Sequence, residues 1–321
     1  MHIRIISPSG VIDPSFIDGA TTRLRAWGYI VSEGAHARDT WGRFAGTDEH
    51  RLADIADALN DPEVDLILCS RGGYGLQRII DRVPPITKPL IGFSDITALH
   101  QAAGLNTQPT LHAIMCKHIA TLPEDSEPIL ALRKALAGET LNYRWQSHPL
   151  NRFGKACAPL IGGNLSVLYG LQATPYSLPA AQSVSAAVCQ RSGLSSVSAA
   201  VCQQSGLCSV SPQGGLQKPL LLIEDIAERH YHIDRMMRNL RMSGVLANIS
   251  GLIVGQFSDC DDDPLMSQTV YQTIKEAVAD YDYPVIFNAP VGHVERNLPL
   301  WIHGHTTIDC SAEGVLLTNG I

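Results

Sequence analysis

Strand and helix signals alternate along the first 120 residues, and this alternation constrains the fold more than any other feature of the chain. Short apolar runs end in loops rich in Gly, Ser and Pro, and each loop leads into a segment with apolar residues spaced three and four apart. The pattern predicts an α/β fold built on a parallel, doubly wound sheet. Because ligands bind such sheets outside the carboxyl ends of the strands, the loops at those ends should hold the functional residues.

The elements of this region carry local start and stop signals. Asp13-Pro14 predicts an N-cap followed by proline in the first helical turn, and Gly28 predicts the end of that helix. Thr47-Asp48 predicts the start of a second helix. The predicted strands cover residues 3–6, 29–31, 64–69 and 89–93, and the fourth leads into Ser94 and a helix over 95–103.

The second half of the chain has a different organisation. We interpret residues 136–157, where periodicity fades, as a linker between an N-terminal domain (1–135) and a C-terminal domain (158–321). A 13-residue segment beginning at Ser183 recurs from Ser196 to Cys208 with two substitutions, so we expect a low-complexity insertion at about 181–217. A duplication tolerated in a surface loop explains it, and a flap near a cleft is the functional alternative.

Composition excludes several classes of protein. The net charge of -7 disfavours binding to nucleic acid or to an anionic membrane, both of which need basic patches. No apolar run reaches the ~18 residues of a membrane span. The first residues lack the apolar core of a secretory signal, which favours the cytoplasm; a periplasmic location would require that a presequence had been removed.

Ser94 is the candidate nucleophile. It lies between a predicted strand and a predicted helix, where a hydroxyl is exposed and a helix N-terminus favours a developing oxyanion. The nucleophile elbow of hydrolases reads Gly-x-Ser-x-Gly, and here Ile96 replaces the last glycine. A serine that only caps the following helix is the alternative interpretation.

His293 and Glu224 are the candidate base and its orienting acid. His293 follows a strand and a Pro-Val-Gly turn, and Glu224 ends the apolar strand over 219–225. The order Ser, acid, His occurs in one hydrolase architecture. Asp225 is the rival of Glu224, and a hydrogen-bonded turn histidine and a capping carboxylate remain the plainer explanations.

Other motifs suggest binding rather than catalysis. Arg71-Gly72-Gly73-Tyr74-Gly75 lacks the ending of a phosphate loop, so we interpret it as a turn whose N–H groups face a ligand, with Arg71 available for a carboxylate. The main alternative is a metal site made from His230 and His232, His303 and His305, or the acids of 259–263. None of these has a known ligand spacing, so no metal or cofactor is expected.

Seven short motifs, in this order, resemble the LD-carboxypeptidase family of serine peptidases, which includes the microcin-immunity peptidases. They cover most of the chain outside residues 180–217. The motifs are Ser7-Pro8-Ser9-Gly10, Ser70-Arg71-Gly72-Gly73-Tyr74-Gly75, Ile91-Gly92-Phe93-Ser94-Asp95-Ile96-Thr97, Gly162-Gly163-Asn164-Leu165, Leu222-Ile223-Glu224-Asp225, Ile233-Asp234-Arg235-Met236 and Pro290-Val291-Gly292-His293.

The resemblance implies a flavodoxin-like N-terminal domain, a smaller β-rich C-terminal domain and a homodimer. It implies a catalytic triad of Ser94, Glu224 and His293, with an oxyanion hole from the backbone N–H groups of Gly73 and Asp95. Family members commonly carry His-Gly-Pro where this chain has His112-Ala113-Ile114. A substrate contact by His112 is therefore a weaker expectation.

The resemblance also implies the reaction. The family's substrates are murein peptides, cleaved between the L-centre of diaminopimelate or lysine and a D-amino acid, usually terminal D-alanine. Alternatives are an LD-endopeptidase acting on directly linked diaminopimelates, a microcin-immunity-type peptidase, and a non-catalytic binding protein on the same scaffold. A flavodoxin-like nucleotide-binding protein is disfavoured because the chain has no phosphate loop.

Overall fold

The computed structural model describes residues 1–179 and 217–321. The repeat at Ser183–Cys208, and almost all of the insertion expected at 181–217, lie outside these residues. The helices are α1 (Pro14–Ala26), α2 (Asp48–Asn60), α3 (Thr97–Gly104), α4 (Cys116–Thr121), α5 (Glu127–Leu136), α6 (Leu165–Gly170), α7 (His230–Met242) and α8 (Val270–Ala277). The strands are β1 (His2–Ile6), β2 (Ile30–Glu33), β3 (Leu66–Cys69), β4 (Leu90–Gly92), β5 (Thr110–His112), β6 (Leu141–Trp145), β7 (Gly154–Asn164), β8 (Leu220–Ile226), β9 (Gly251–Ser258), β10 (Val285–Ile286), β11 (Leu300–Ile302), β12 (His305–Ser311) and β13 (Gly314–Gly320).

The first sheet has the strand order β11-β5-β4-β3-β1-β2. Strands β1 to β5 are parallel and follow the flavodoxin-like order 2-1-3-4-5, and only β11 is antiparallel. The parallel α/β fold expected from the alternation is thus confirmed. In this topology the chain leaves β1 and β3 in opposite directions, and the loops after these strands border a crevice.

Local capping explains where α1 and α2 begin. The side chain of Asp13 accepts a hydrogen bond from the backbone N–H of Ser15 at 2.9 Å, as expected for an N-cap before Pro14. The hydroxyl of Thr47 accepts from the N–H of His50 at 3.2 Å. Strand side chains of the first sheet alternate between two apolar layers, with Ile5 in one and Ile6 in the other. This double burial is why the strands are almost uniformly apolar.

The second sheet has the order β10-β9-β8-β7-β12-β13-β6. Its strands β7 to β10 are parallel, and β12, β13 and β6 extend it in antiparallel fashion. Residues 136–157, expected to be a linker, contain β6 and the first residues of β7, so part of this segment belongs to the second sheet. The proposed domain limits themselves stay a prediction.

The two halves are joined by strand pairing as well as by the chain. Strand β11 follows most of the second sheet in sequence but pairs with β5 of the first sheet, with Leu300 opposite His112. The N-terminal end of α3 also contacts β7, because the backbone N–H of Asn164 donates to the Thr97 hydroxyl at 3.0 Å. A Cβ on Gly163 would lie 2.5 Å from that hydroxyl oxygen, so the Gly-Gly-Asn motif permits this contact.

No helix within residues 1–179 and 217–321 is both long enough and apolar enough to span a bilayer.

Candidate active site

A cleft of about 850 Å³ opens at the carboxyl ends of the first sheet's strands. One part of its wall is formed by Ser70–Gly73 and Phe93–Ser94, and another part is formed by Ile226 and His293–Glu295. The cleft is therefore built from both halves of the chain, at the place where the sheet topology predicts a ligand. Ser94 and His293, which are 199 positions apart in the sequence, both line it.

Ser94 lies in a sharp turn directly after β4. Its φ is +66°, in the left-handed region, and residues 94–96 form a single 3₁₀ turn before α3. A non-glycine residue in this region carries strain of about 1–3 kcal/mol, which is typical of functional sites. A Cβ on Gly72 would lie 2.8 Å from the Ser94 Cβ, so only glycine at position 72 lets the two loops approach.

The helix-cap interpretation of Ser94 is not what the structure shows. The N-cap positions of the 3₁₀ turn and of α3 are Phe93 and Ile96, and neither makes a side-chain capping bond. The Ser94 side chain instead lies at the cleft surface, partly exposed.

Glu224 and His293 form the hydrogen bond expected of an orienting acid and a base. The distance from His293 Nδ1 to Glu224 Oε2 is 2.7 Å. The Glu224 carboxylate is fully buried, and the His293 side chain is 14% exposed. The His293 ring also packs against Phe93, with 4.9 Å between ring centroids, and Phe93 immediately precedes Ser94.

Irregular backbone on both sides of Glu224 makes this contact possible. The pairing of β8 with β9 shifts register between Ile223 and Asp225, which is the geometry of a β-bulge. At Gly255, beside the shift, a Cβ would lie 3.1 Å from the Glu224 Cβ and 2.5 Å from the carbonyl of Val291. Gly292 has φ +130°, and a Cβ there would lie 3.1 Å from Glu224 Oε2.

The charge of Glu224 is set by opposing effects. Burial raises the pKa of this carboxyl, but interactions with His112 and His293 outweigh it and hold the pKa at about 2. The two imidazoles thus keep this buried carboxylate ionised at working pH. Such a charge can stabilise an imidazolium at His293.

His112 lies behind this pair rather than in the cleft. It is fully buried at the end of β5, 5.7 Å from the Phe93 ring between centroids, and it is absent from the cleft wall. The expected substrate contact by His112 therefore has no support in the structure. Both of its ring nitrogens, and Glu224 Oε1, are buried without a well-formed hydrogen bond to any part of the chain that the structure describes. The sequence did not reveal that His112 lies beside Glu224, because it showed His112 only as the first residue of a motif that differs from the family pattern.

Asp225, the rival acid, points to other partners. Its Oδ1 accepts from the Asn164 side chain at 2.9 Å, and its Oδ2 accepts from the N–H of Ser166 at 2.8 Å. Burial and the neighbouring charge of Glu224 raise the pKa of Asp225 to about 7. Asp225 thus anchors the start of α6, while Glu224 pairs with His293.

The residues expected to form an oxyanion hole flank Ser94 on two loops. Gly73 has φ +112°, and Asp95 follows Ser94 in the 3₁₀ turn. Among the residues that the structure describes, neither backbone N–H donates to another protein group. The Asp95 side chain accepts from the Ser9 hydroxyl at 2.6 Å and from the N–H of Leu76 at 2.9 Å. These bonds connect the loops after β1, β3 and β4 around the serine.

Arg71 lies at the surface of the cleft. Its guanidinium donates to the carbonyl oxygen of Val11 at 2.7 Å, a neutral acceptor that leaves its positive charge available. Lys117 adds a second cation to the wall, and Asp13 and Glu295 add acids. The cleft can therefore bind a ligand that carries both signs of charge.

The histidines considered as metal ligands have other partners. His230 bonds Thr273 at 2.8 Å, His232 bonds Glu228 at 2.8 Å, and His303 bonds the carbonyl of His100 at 2.8 Å. Within the described ranges, the group of His, Cys and acidic residues that does converge is His36, Asp39 and His50. No sequence spacing pointed to that group.

Comparison with known proteins identifies the family of this chain. The LD-carboxypeptidase N-terminal domain model matches residues 3–113, and the C-terminal domain model matches residues 198–308. A probable murein peptide carboxypeptidase of Bacillus subtilis is 28% identical over 99% of this chain and 92% of its own length.

Two solved structures share the fold. A muramoyltetrapeptide carboxypeptidase from Oxalobacter formigenes has a TM-score of 0.80 and 22% identity, and the match covers 100% of this chain and 99% of that one. An MccF-like protein from Bacillus anthracis has a TM-score of 0.75 and 21% identity, covering 99% and 96%. Since both domain models match in order and together span most of the sequence, the chain belongs to the LD-carboxypeptidase family of peptidases.

Proposed function

We propose that this protein is a serine LD-carboxypeptidase that releases a terminal D-amino acid, usually D-alanine, from murein peptides. The observation that carries the proposal is the bond of 2.7 Å between His293 and buried Glu224, in a cleft whose wall also holds Ser94 with φ +66°. The family and the name of the Bacillus subtilis relative support the substrate class.

The tautomer of His293 follows from its hydrogen bond. A neutral imidazole that donates from Nδ1 to a carboxylate has an unprotonated Nε2, which is the atom that can accept a proton. In the proposed reaction Nε2 takes the proton of Ser94 Oγ as this oxygen attacks the scissile carbonyl carbon. His293 then gives that proton to the leaving amine as the amide C–N bond breaks, which leaves an acyl-serine. In the second half of the reaction water attacks the acyl carbon, and His293 takes a proton from this water and returns it to Ser94 Oγ.

Glu224 and the two N–H groups would stabilise the charges that appear in these steps. The ionised Glu224 favours the imidazolium form of His293. The N–H groups of Gly73 and Asp95 would donate to the oxyanion of the tetrahedral intermediate, and their lack of protein acceptors in the described chain is consistent with this role. Arg71 would bind the carboxylate of the departing D-amino acid.

An LD-endopeptidase that cleaves directly linked diaminopimelates is the second candidate. The scissile bond has the same L-to-D geometry, and a cleft of about 850 Å³ is large enough for more than a single amino acid. Incubation with a purified tetrapeptide and with a cross-linked dimer separates the two. Release of D-alanine alone excludes the endopeptidase, and conversion of dimer to monomer establishes it.

The decisive test of the proposed function replaces the nucleophile. Ser94→Ala should lower kcat on a murein tetrapeptide by about 10⁴–10⁶-fold, because the remaining groups cannot form an acyl-enzyme. Ser311→Ala, at the far end of β12, is the matched control and should retain wild-type turnover. Turnover near wild type in Ser94→Ala would reject the serine mechanism, and an inactive wild type would favour the non-catalytic binding protein.

The proposal also covers assembly, where the resemblance implies a homodimer, and compartment, where the cytoplasm is expected. A homodimer would appear as a doubled mass in light scattering after size exclusion. A cytoplasmic location, where released murein fragments are recycled, would appear on fractionation of cells that express the protein.

A further inference from the structure

Two imidazoles and a carboxylate converge on one side of the first sheet, away from the cleft wall. His36 Nδ1 lies 3.1 Å from Asp39 Oδ2, and His50 Nδ1 lies 2.7 Å from the same oxygen. One potential ligand atom from each residue lies within 4.8 Å of those of the other two. The two rings are stacked, with centroids 3.9 Å apart and planes 17° apart.

The backbone fixes all three residues. His50 lies in the first turn of α2, where its N–H donates to the Thr47 hydroxyl. The N–H of His36 donates to both carboxylate oxygens of buried Asp54, at 3.1 and 3.2 Å. Gly46 has φ +85°, and a Cβ there would lie 3.1 Å from the Cβ atoms of Asp39 and His50. Glycine at this position therefore permits the close approach of the two ligand-bearing segments.

We propose that His36, Asp39 and His50 bind one divalent transition-metal ion of the zinc type. Two imidazole nitrogens and one carboxylate oxygen form a donor set that zinc prefers, and a fourth position is left for water. Tetrahedral bonds of about 2.0–2.1 Å place ligand atoms about 3.3 Å apart. The two nitrogen–oxygen distances of 2.7 and 3.1 Å need a small expansion to reach that value, and the stacked imidazole rings must turn so that both Nδ1 atoms face the ion.

The charge and exposure of the cluster also suit a cation. Asp39 supplies one carboxylate, and the buried carboxylate of Asp54 accepts from the N–H of His36, so a second acid lies beside the cluster. The three side chains are 32–44% exposed, so an ion can reach them from solvent.

The site would stiffen the segment that supports one wall of the cleft. The segment between Asp39 and Gly46 bonds the loop after β1, with Val11 N–H donating to the Arg43 carbonyl and Ala45 N–H donating to the Ser9 carbonyl. Ser9 in turn bonds Asp95, next to Ser94. A metal ion bound by His36 and His50 would therefore cross-link the two ends of this segment without contacting the reacting groups.

The test is a titration of the full-length, chelator-treated protein with ZnCl₂ alone, followed by calorimetry, and with CoCl₂, followed by visible absorption. We expect saturable binding of one ion per chain, a tetrahedral cobalt spectrum and a higher Tm in the presence of zinc. His36→Ala and His50→Ala should each weaken zinc binding more than about tenfold, since even the outer partners of metal ligands contribute about that much. MgCl₂ should give no comparable binding, because magnesium prefers oxygen ligands.

His232→Gln is the matched control, because His232 and Glu228 form an equally exposed pair with only one imidazole. This variant should bind zinc as the wild type does. Circular dichroism of the two alanine variants shows whether they fold, and their positions on different segments give independent readings. Absence of saturable binding in the wild type, or equal binding by both folded alanine variants, would overturn the proposal. Since the result does not depend on peptidase activity, it is separate from the proposed reaction.

Discussion

Two clusters of histidine and carboxylate in this protein share a contact of 2.7 Å but differ in almost everything else. In the cleft, Glu224 is fully buried, bonds His293 beside the nucleophile loop, and also interacts with buried His112. Near α2, the side chain of Asp39 is 39% exposed, and its carboxylate accepts hydrogen bonds from two stacked imidazoles. The same chemical pair is thus placed in two environments.

The difference teaches that burial decides what such a cluster can do. A buried carboxylate whose bonded imidazole lines the cleft suits the role of an orienting acid, because its charge is little screened by water and acts on that imidazole. An exposed carboxylate interacts weakly with each imidazole by itself, and two converging nitrogens instead suit a metal ion. In our proposals, the first cluster serves proton transfer and the second binds a metal ion.

The largest effect that can sharpen this contrast comes from Glu224→Gln. We expect kcat/KM to fall by about 10⁴-fold, because an amide keeps the shape of the side chain but removes the charge that stabilises the His293 imidazolium. Glu228→Gln alters an exposed pair with His232 and should leave turnover unchanged. Steady-state assays on a murein tetrapeptide measure both. Similar activities of the two variants would remove the distinction between buried and exposed pairs.

A second effect concerns stability as a function of pH. The pKa of Glu224 is about 2 in the folded protein, and its ordinary value is 4.5. The contribution of this carboxylate to the free energy of unfolding is therefore present above pH 4.5 and is lost as the pH falls toward 2. This shift corresponds to about 3 kcal/mol. Urea unfolding at about pH 5, 4 and 3 should show a flatter pH dependence for Glu224→Gln than for the wild type. Parallel pH profiles would mean that Glu224 has no lowered pKa.

The smallest of these effects concerns His112, which we expect to position Glu224 from behind. His112→Leu should lower kcat by about tenfold with KM nearly unchanged, because one interaction with a charged group is lost. His112→Gln, which keeps an N–H donor, should recover part of the rate. A raised KM with unchanged kcat would instead indicate the substrate contact first expected of His112, and melting temperatures of both variants verify folding.

Much of the first sheet is predictable because its determinants are local. Asp13 and Thr47 cap helices, and apolar runs such as that before Ser70 form buried strands, all within a few residues of sequence. Strand β6 is not predictable in this way, because Leu141–Trp145 has only one fully buried residue and its pairing with β13 joins residues far apart in sequence. The interpretation of this segment as a linker reflects that weak pattern.

The same distinction between local and long-range determinants applies to the candidate functional residues. Ser94, Glu224 and His293 lie near or after apolar strand segments and within motifs, so their sequence positions indicated them, and their catalytic roles stay a prediction. The convergence of His36, Asp39 and His50 depends on a cap at Thr47 and a left-handed glycine at position 46, and no ligand spacing reveals it. The burial of His112 behind Glu224 likewise depends on how the two sheets meet.

Strand β11 has a consequence for the order in which the protein can be completed during synthesis. The ribosome adds Leu300–Ile302 after Glu224 and His293, yet these residues cover the edge of β5 in the first sheet. Until then β5 is an open parallel edge, able to pair with another nascent chain. The nucleophile loop therefore belongs to an unfinished sheet while the rest of the cleft is still being made. A peptidase assembled in this way gains its competent cleft only after Leu300–Ile302 has been synthesised.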